Sequence, residues 1–225
     1  AKVSVLSDFK RAVLNHGLDF YIQGKYDKAG RLHGGELLCR WRSALHGMVS
    51  PSVFIPMAEE HGLDSDIGLQ ALDAACDYIN MFGQTYQHVT MAINISANQL
   101  LDPLFPQQAK DICEQNDVDP NHIEIEITES IFMVNERGAM AALHQLKDIG
   151  FTLALDDFGT GYSSLSYLRS FHFDVVKLDR SLIKDVNNDV KALALVQGVA
   201  AMLDSLEVII IAEGIENPDY LPLLE

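Results

Sequence analysis

Hydrophobic and polar positions along the chain fall into two alternating kinds of segment. Apolar runs of strand length occur at Leu18–Gln23, Gly35–Trp41, Val89–Ile95, Ile123–Ile127, Thr152–Asp156, Val175–Leu178 and Val208–Ala212. Helix-like segments lie between them, at Val53–His61, Ser65–Phe82, Leu104–Asn116, Glu136–Ile149, Ser163–Ser170 and Asp185–Leu203. In the fourth of these, Met140, Leu143, Leu146 and Ile149 share roughly one face, and Gly150 is placed to end the helix. Strands joined by helical crossovers predict an α/β protein, built either as a (βα) barrel or as a doubly wound sheet.

The residues at the strand ends separate these two architectures. Polar side chains collect where the runs stop: Asn94 and Ser96, then Glu126, Thr128 and Glu129, then Asp156 and Asp157, then Lys177 and Asp179, then Glu213 before Gly214. Five strands delivering chemistry at one end is how a TIM-type barrel builds a site, whereas a doubly wound sheet gathers its ligand contacts at one switch point. No Gly-x-Gly-x-x-Gly follows any strand, which also counts against a dinucleotide fold. The barrel is therefore the expected fold.

Composition narrows the function. With 225 residues, 48% of them hydrophobic, and no Pro/Gly-rich linker, residues 1–225 read as one domain with a sizeable core. The formal charge of −16 argues against duplex nucleic acid or an anionic membrane as partner, although bound cations can still draw an anionic small molecule to an acidic chain. Cys39, Cys76 and Cys113 form no CxxC pair, the histidines are scattered, and neither a disulfide framework nor a zinc helix is expected. No apolar run approaches the ~20 residues that span a bilayer, and the N-terminus lacks a signal-peptide pattern. A start at Ala1 reads as a processed or excised piece.

The densest chemistry lies in Leu153-Ala154-Leu155-Asp156-Asp157-Phe158-Gly159-Thr160-Gly161. Adjacent carboxylates repel, and neighbouring strand side chains point to opposite faces, so both reach one site only where the strand ends and turns. A divalent cation is the simplest group to hold them there. Elsewhere a structural reading competes with a functional one. Glu124, Glu126 and Thr128 could be the solvated face of a half-exposed strand, Glu36 could pair with Arg40, Lys177 could pair with Asp179, and Asn94 could make a structural hydrogen bond. Glu213, at the mouth of an apolar strand, is placed to act as a general base. The joint pattern favours a metal-dependent site.

These residues resemble the EAL-type phosphodiesterases, which hydrolyse the bacterial second messenger cyclic di-GMP. The resemblance runs from about Phe20 to the C-terminus. It includes Glu36-Leu37-Leu38, Val49-Ser50-Pro51, Phe54-Ile55-Pro56, Ala58-Glu59, Asn94-Ile95-Ser96, Glu126-Ile127-Thr128-Glu129-Ser130, Asp156–Gly161, Lys177-Leu178-Asp179 and Ala212–Glu216. It implies that Glu36, Asn94, Glu126 and Asp156 hold one cation, and that Asp156 bridges to a second held also by Asp157. Lys177 would position water and phosphate, Glu213 would be the general base, Gln23 and Arg40 would contact substrate, and Glu129 would anchor the loop Asp157–Ser164. It further implies two Mg2+ or Mn2+ ions per site, inhibition by Ca2+, a two-metal hydrolysis yielding linear pGpG, a homodimer, and attachment to sensory or GGDEF domains. A cytoplasmic setting follows from the substrate, while membrane anchoring of a larger protein is not readable here.

Three departures stand out. Leu37 replaces the alanine of the naming motif, and Gly24 stands where proline usually follows Gln23. The chain also stops at Glu225, before the family's eighth strand, so a modified (βα)8 barrel lacking its final strand is expected. Two other functions compete with hydrolysis: a receptor that binds cyclic di-GMP without cleaving it, and a docking module acting through the surface near Ser163–Ser170. The full set of matching ligands favours the enzyme.

Overall fold

The segments predicted from periodicity are found in the computed structural model of the protein, which describes residues 2–83, 85, 88–160 and 166–215. In chain order the elements are α1 (Lys2–Leu14), β1 (Asp19–Tyr26), β2 (Leu32–Ser43), β3 (Gly47–Val49), α2 (Pro51–Glu60), α3 (Asp64–Phe82), β4 (Thr90–Asn94), α4 (Ala97–Leu100), α5 (Phe105–Gln115), β5 (Ile123–Thr128), α6 (Ser130–Ile149), β6 (Thr152–Phe158), α7 (Ser166–Ser170), β7 (Val175–Leu178), α8 (Arg180–Ile183), α9 (Val190–Ser205) and β8 (Ile209–Ala212). They divide into two compact units, residues 1–125 with 142–151, and residues 126–141 with 152–225. β5 and α6 contribute residues to both.

In the first unit β1 and β2 form an antiparallel hairpin in which Gln23 pairs with Glu36, and β2 runs parallel to β4 with Glu36 beside Ala92. Paired residues of an antiparallel ladder point to one side, so Tyr21, Gln23 and Lys25 share a face with Glu36 and Arg40. A core of Phe9, Val13, Leu18, Trp41, Phe54, Ala58 and Ile67 joins α1, β2, α2 and α3. Its centre is an aromatic trio, with Phe9 4.9 Å from Trp41 and 5.5 Å from Phe54. Asp8 accepts from Ser43 Oγ at 2.6 Å and from Arg11 at 2.7 Å, which ties α1 to β2 and lowers the Asp8 carboxyl from its usual value.

In the second unit β6, β7 and β8 run parallel, with Lys177 beside Ile211 and Leu178 beside Ala212. Asp179 and Asp189 cap α8 and α9 by accepting the Ser181 and Lys191 backbone N–H, both at 2.8 Å.

Several boundaries differ from expectation. The strand carrying the two aspartates continues to Phe158, because an irregularity between Leu155 and Phe158 interrupts its register with β7. The predicted helix at Asp185–Leu203 begins only at Val190, where Asp189 supplies the cap. Helix α6 is broken at Asn135, whose Oδ1 accepts the Gly138 N–H at 2.9 Å, so its regular part starts at Glu136 and ends at Gly150 with φ 115°. Elements α1, β3, α4 and α8 were not foreseen. Residues 163–165 of one predicted helix and 161–164 of the predicted loop lie outside the described residues.

Candidate functional site

Lys177 is the centre of the second unit's chemistry. It sits in the middle of β7, all four of whose residues are buried, and its side chain is 2% exposed. A buried ammonium needs partners. Its Nζ lies 2.9 Å from Glu126 Oε2, 3.2 Å from Asp156 Oδ2 and 2.8 Å from Glu213 Oε1. The alternative pairing with Asp179 is not made: these three carboxylates take its place, and Asp179 caps α8. Its carboxyl is lowered, chiefly by the Ser181 side-chain contact.

Asp156 and Asp157 reach the same site by way of the register irregularity rather than by ending the strand. Asp157 has φ 55°, a left-handed conformation that costs about 1–3 kcal/mol in a residue other than glycine. That turn brings its N–H to Asp156 Oδ1 at 2.8 Å. Oxygens of Asp156, Asp157 and Glu213 all lie within 4.8 Å of one another. Burial pushes the Asp157 carboxyl up first, followed by the charges of Asp156 and Asp179; Lys177 opposes the rise and Glu129 adds to it.

Glu126 and Glu124 are not a solvated face. All five residues from Ile123 to Ile127 are buried, and each glutamate is held by a lysine. Glu124 Oε1 accepts from Lys25 Nζ at 2.6 Å, in the first unit. This pair was missed by sequence reasoning, since a lysine and a glutamate 99 positions apart carry no local signal. In the same unit Glu36 Oε1 accepts from Asn94 Nδ2 at 2.8 Å, which brings two expected cation ligands together. The alternative in which Arg40 pairs with Glu36 is not seen; Arg40 donates to the Cys39 carbonyl at 2.9 Å and lies 5.9 Å from the centre of the Tyr21 ring. Gln23 is exposed on β1, opposite Glu36.

Glu129, just beyond β5, accepts from the Tyr167 hydroxyl at 2.7 Å. Tyr167 was also missed, because nothing in Ser166-Tyr167-Leu168-Arg169 marks the phenol as partner of a carboxylate 38 residues away.

The residues thus gather in two groups: Gln23, Glu36, Arg40 and Asn94 in the first unit, and Glu126, Glu129, Asp156, Asp157, Lys177 and Glu213 in the second. In the second group four carboxylates (Glu126, Asp156, Asp157 and Glu213) gather about the Lys177 ammonium, a predominantly negative set. An all-oxygen donor set of that charge fits a hard divalent cation. The geometry adds Glu213, expected only as a proton acceptor, to the side chains able to hold one.

Comparison with known proteins supplies the family. Residues 6–225 match the EAL domain. The cyclic di-GMP phosphodiesterase PdeR of Escherichia coli (strain K12) is 32% identical over 211 residues, 94% of this chain and 32% of PdeR. The oxygen sensor protein DosP of the same organism is 33% identical over 217 residues, 96% of this chain and 27% of DosP. The chain spans about a quarter of the length of the first curated relatives it matches. Among solved structures, that of the PaMucR phosphodiesterase in complex with c-di-GMP aligns with a TM-score of 0.91 at 31% identity, covering 98% of this chain and 90% of that one. That likeness gives the α/β, TIM-type barrel class expected from the strand ends rather than the doubly wound alternative. The chain belongs to the EAL domain family.

Proposed function

We propose that residues 1–225 act as one phosphodiesterase domain that hydrolyses cyclic di-GMP to linear pGpG with divalent cations, Mg2+ or Mn2+. The observation that carries this reading is the convergence of Asp156, Asp157 and Glu213 beside the buried Lys177 ammonium, in a chain of the family to which PdeR belongs.

Glu36, Asn94, Glu126 and Asp156 would hold one cation, and Asp156 with Asp157 a second. When bound, the two cations supply Lewis acidity to a phosphodiester and its attacking water. Lys177 keeps a fixed positive charge among Glu126, Asp156 and Glu213 and orients a phosphate oxygen. Glu213, which directly follows β8 and is half-buried, accepts the proton of the attacking water. Gln23 and Arg40 meet the nucleotide, and Glu129 steadies the segment after Asp157. Ca2+ prefers more ligands at longer distances and would inhibit by displacing the smaller ion.

No helix among the described residues is long and apolar enough to cross a membrane. The domain would face the cytoplasm, work as a homodimer and sit beside sensory or GGDEF domains of a longer protein; attachment to a sensor is supported by the likeness to the oxygen sensor protein DosP, of which this chain covers 27%.

The test is chromatography of cyclic di-GMP incubated with the protein and Mg2+ or Mn2+, alongside Glu36→Ala. Linear pGpG that disappears in the variant is the expected result. Intact nucleotide that is nevertheless bound would favour a receptor, and neither binding nor cleavage would favour a docking module.

A further inference from the structure

We propose that the Tyr167 hydroxyl is a positioning group for Glu129, and through it for Glu126 near the end of β5 and the Lys177 ion pairs with Asp156 and Glu213. The inference rests on the proposed metal site, which it deepens by adding a residue outside the acidic set.

Tyr167 is gripped at both ends by one turn of chain. Its hydroxyl donates to Glu129 Oε1 at 2.7 Å. Its ring stacks on Phe132, three residues further on, with centroids 4.6 Å apart and planes within 7°. The Phe132 N–H donates to the Glu129 carbonyl at 3.2 Å, so the carboxylate and the stacking ring belong to the same local fold. Phe132 in turn meets Phe173 edge-on at 6.4 Å, and Phe173 meets Phe171 at 4.8 Å. This aromatic packing fixes the phenol, which is 3% exposed, and a fixed phenol fixes the carboxylate it bonds.

Glu129 is not an isolated surface acid. It follows Glu126, the Lys177 partner, by three residues. Moving the Glu129 carboxylate therefore shifts the exit of the chain from β5, and with it Glu126 and the Lys177 ammonium that also holds Asp156 and Glu213. A hydroxyl bonded to a carboxylate is among the stronger neutral-donor contacts, because the acceptor is charged. A phenol that merely needed a partner in the core would have no such consequence.

Tyr167→Phe removes the hydroxyl and keeps the ring stack, so folding is preserved. The unaltered chain, Tyr167→Phe, Glu129→Gln and the double variant are compared by three measurements: thermal midpoint, Mn2+ affinity by titration calorimetry, and kcat and KM for cyclic di-GMP. The loss of one charge-assisted hydrogen bond predicts roughly a tenfold fall in kcat and a severalfold weakening of Mn2+ binding. The KM stays within about twofold, and the midpoint falls by no more than about 3 °C. Adding Tyr167→Phe to Glu129→Gln produces no further loss, because the hydroxyl acts through that carboxylate. Mn2+ affinity and turnover unchanged in Tyr167→Phe, or losses that multiply in the double variant, overturn the inference. If the unaltered chain binds Mn2+ but releases no pGpG, the hydrolytic reading fails and the calorimetry alone decides the role of Tyr167. An unaltered chain that binds no Mn2+ overturns both.

Discussion

Replacing Lys177 with methionine keeps most of the side chain's volume and removes only its charge. Three carboxylates then remain where the ammonium had held them, and two of them, Glu126 and Asp156, have little access to water. Glu126 is fully buried, while the Asp156 and Glu213 side chains are 12% and 30% exposed. Removing one partner of a buried ion pair costs about 3–5 kcal/mol, because the remaining charge is left uncompensated. The partial exposure of Glu213 softens this, so a loss of about 4 kcal/mol is expected, roughly 10 °C in thermal midpoint for a chain of this size. A divalent cation can supply the missing charge. At a hundred times its dissociation constant Mn2+ adds about 2.7 kcal/mol to any fold that binds it, and the variant, with more uncompensated charge, should bind it more tightly than the parent. The assay is thermal and urea denaturation of both proteins, with a chelator and with saturating Mn2+. The gap between them should be widest in chelator and should narrow in Mn2+ by about 1.4 kcal/mol for each tenfold by which the variant binds the ion more tightly. A Lys177→Met protein within 1 kcal/mol of its parent would refute the idea that this ammonium holds the carboxylates together. So would a deficit that is the same with and without the metal.

Two further outcomes follow from the site's electrostatics. A carboxyl held above its usual 3.8, as Asp157 is, favours the fold while protonated, and that contribution is lost as pH rises through its folded-state value. Asp157→Asn should therefore make the metal-free protein more stable than its parent at pH 7 and indistinguishable from it at pH 3, as read by urea denaturation at the two pH values. The Lys25–Glu124 pair, with side chains 12% and 6% exposed, predicts a loss of roughly 3 kcal/mol in Lys25→Met. Lys25→Met with Glu124→Leu should recover part of that loss, since the Glu124 charge goes too; equilibrium denaturation of the single and double variants decides this.

Much of this protein was legible in its sequence because its signals are local. Apolar runs and their periods located the seven predicted strands to within a few residues, since the side-chain alternation of a strand is written into consecutive positions. Gly150 marked the end of α6 because a C-terminal cap depends on one or two residues. The polar residues at strand ends and the ordered motifs named the family and the candidate site. What the sequence could not carry was partnership. Lys177 beside Asp179 and Glu36 beside Arg40 are the pairs that proximity along the chain suggests, yet Lys177 bonds Glu126, Asp156 and Glu213, and Glu36 bonds Asn94, 58 residues away. The alternation of Glu124 and Glu126 was visible as a polar face, but only burial against Lys25 and Lys177 makes it an interior one. Asp156 and Asp157 share a site through a left-handed residue within the strand, which no residue-type rule demands. The chain's own pattern determined which face of each element is apolar and which residues could do chemistry. Tertiary structure alone decided which charges meet, because opposite charges brought together by folding must be paired when water leaves, and the nearest partner in space is seldom the nearest in sequence.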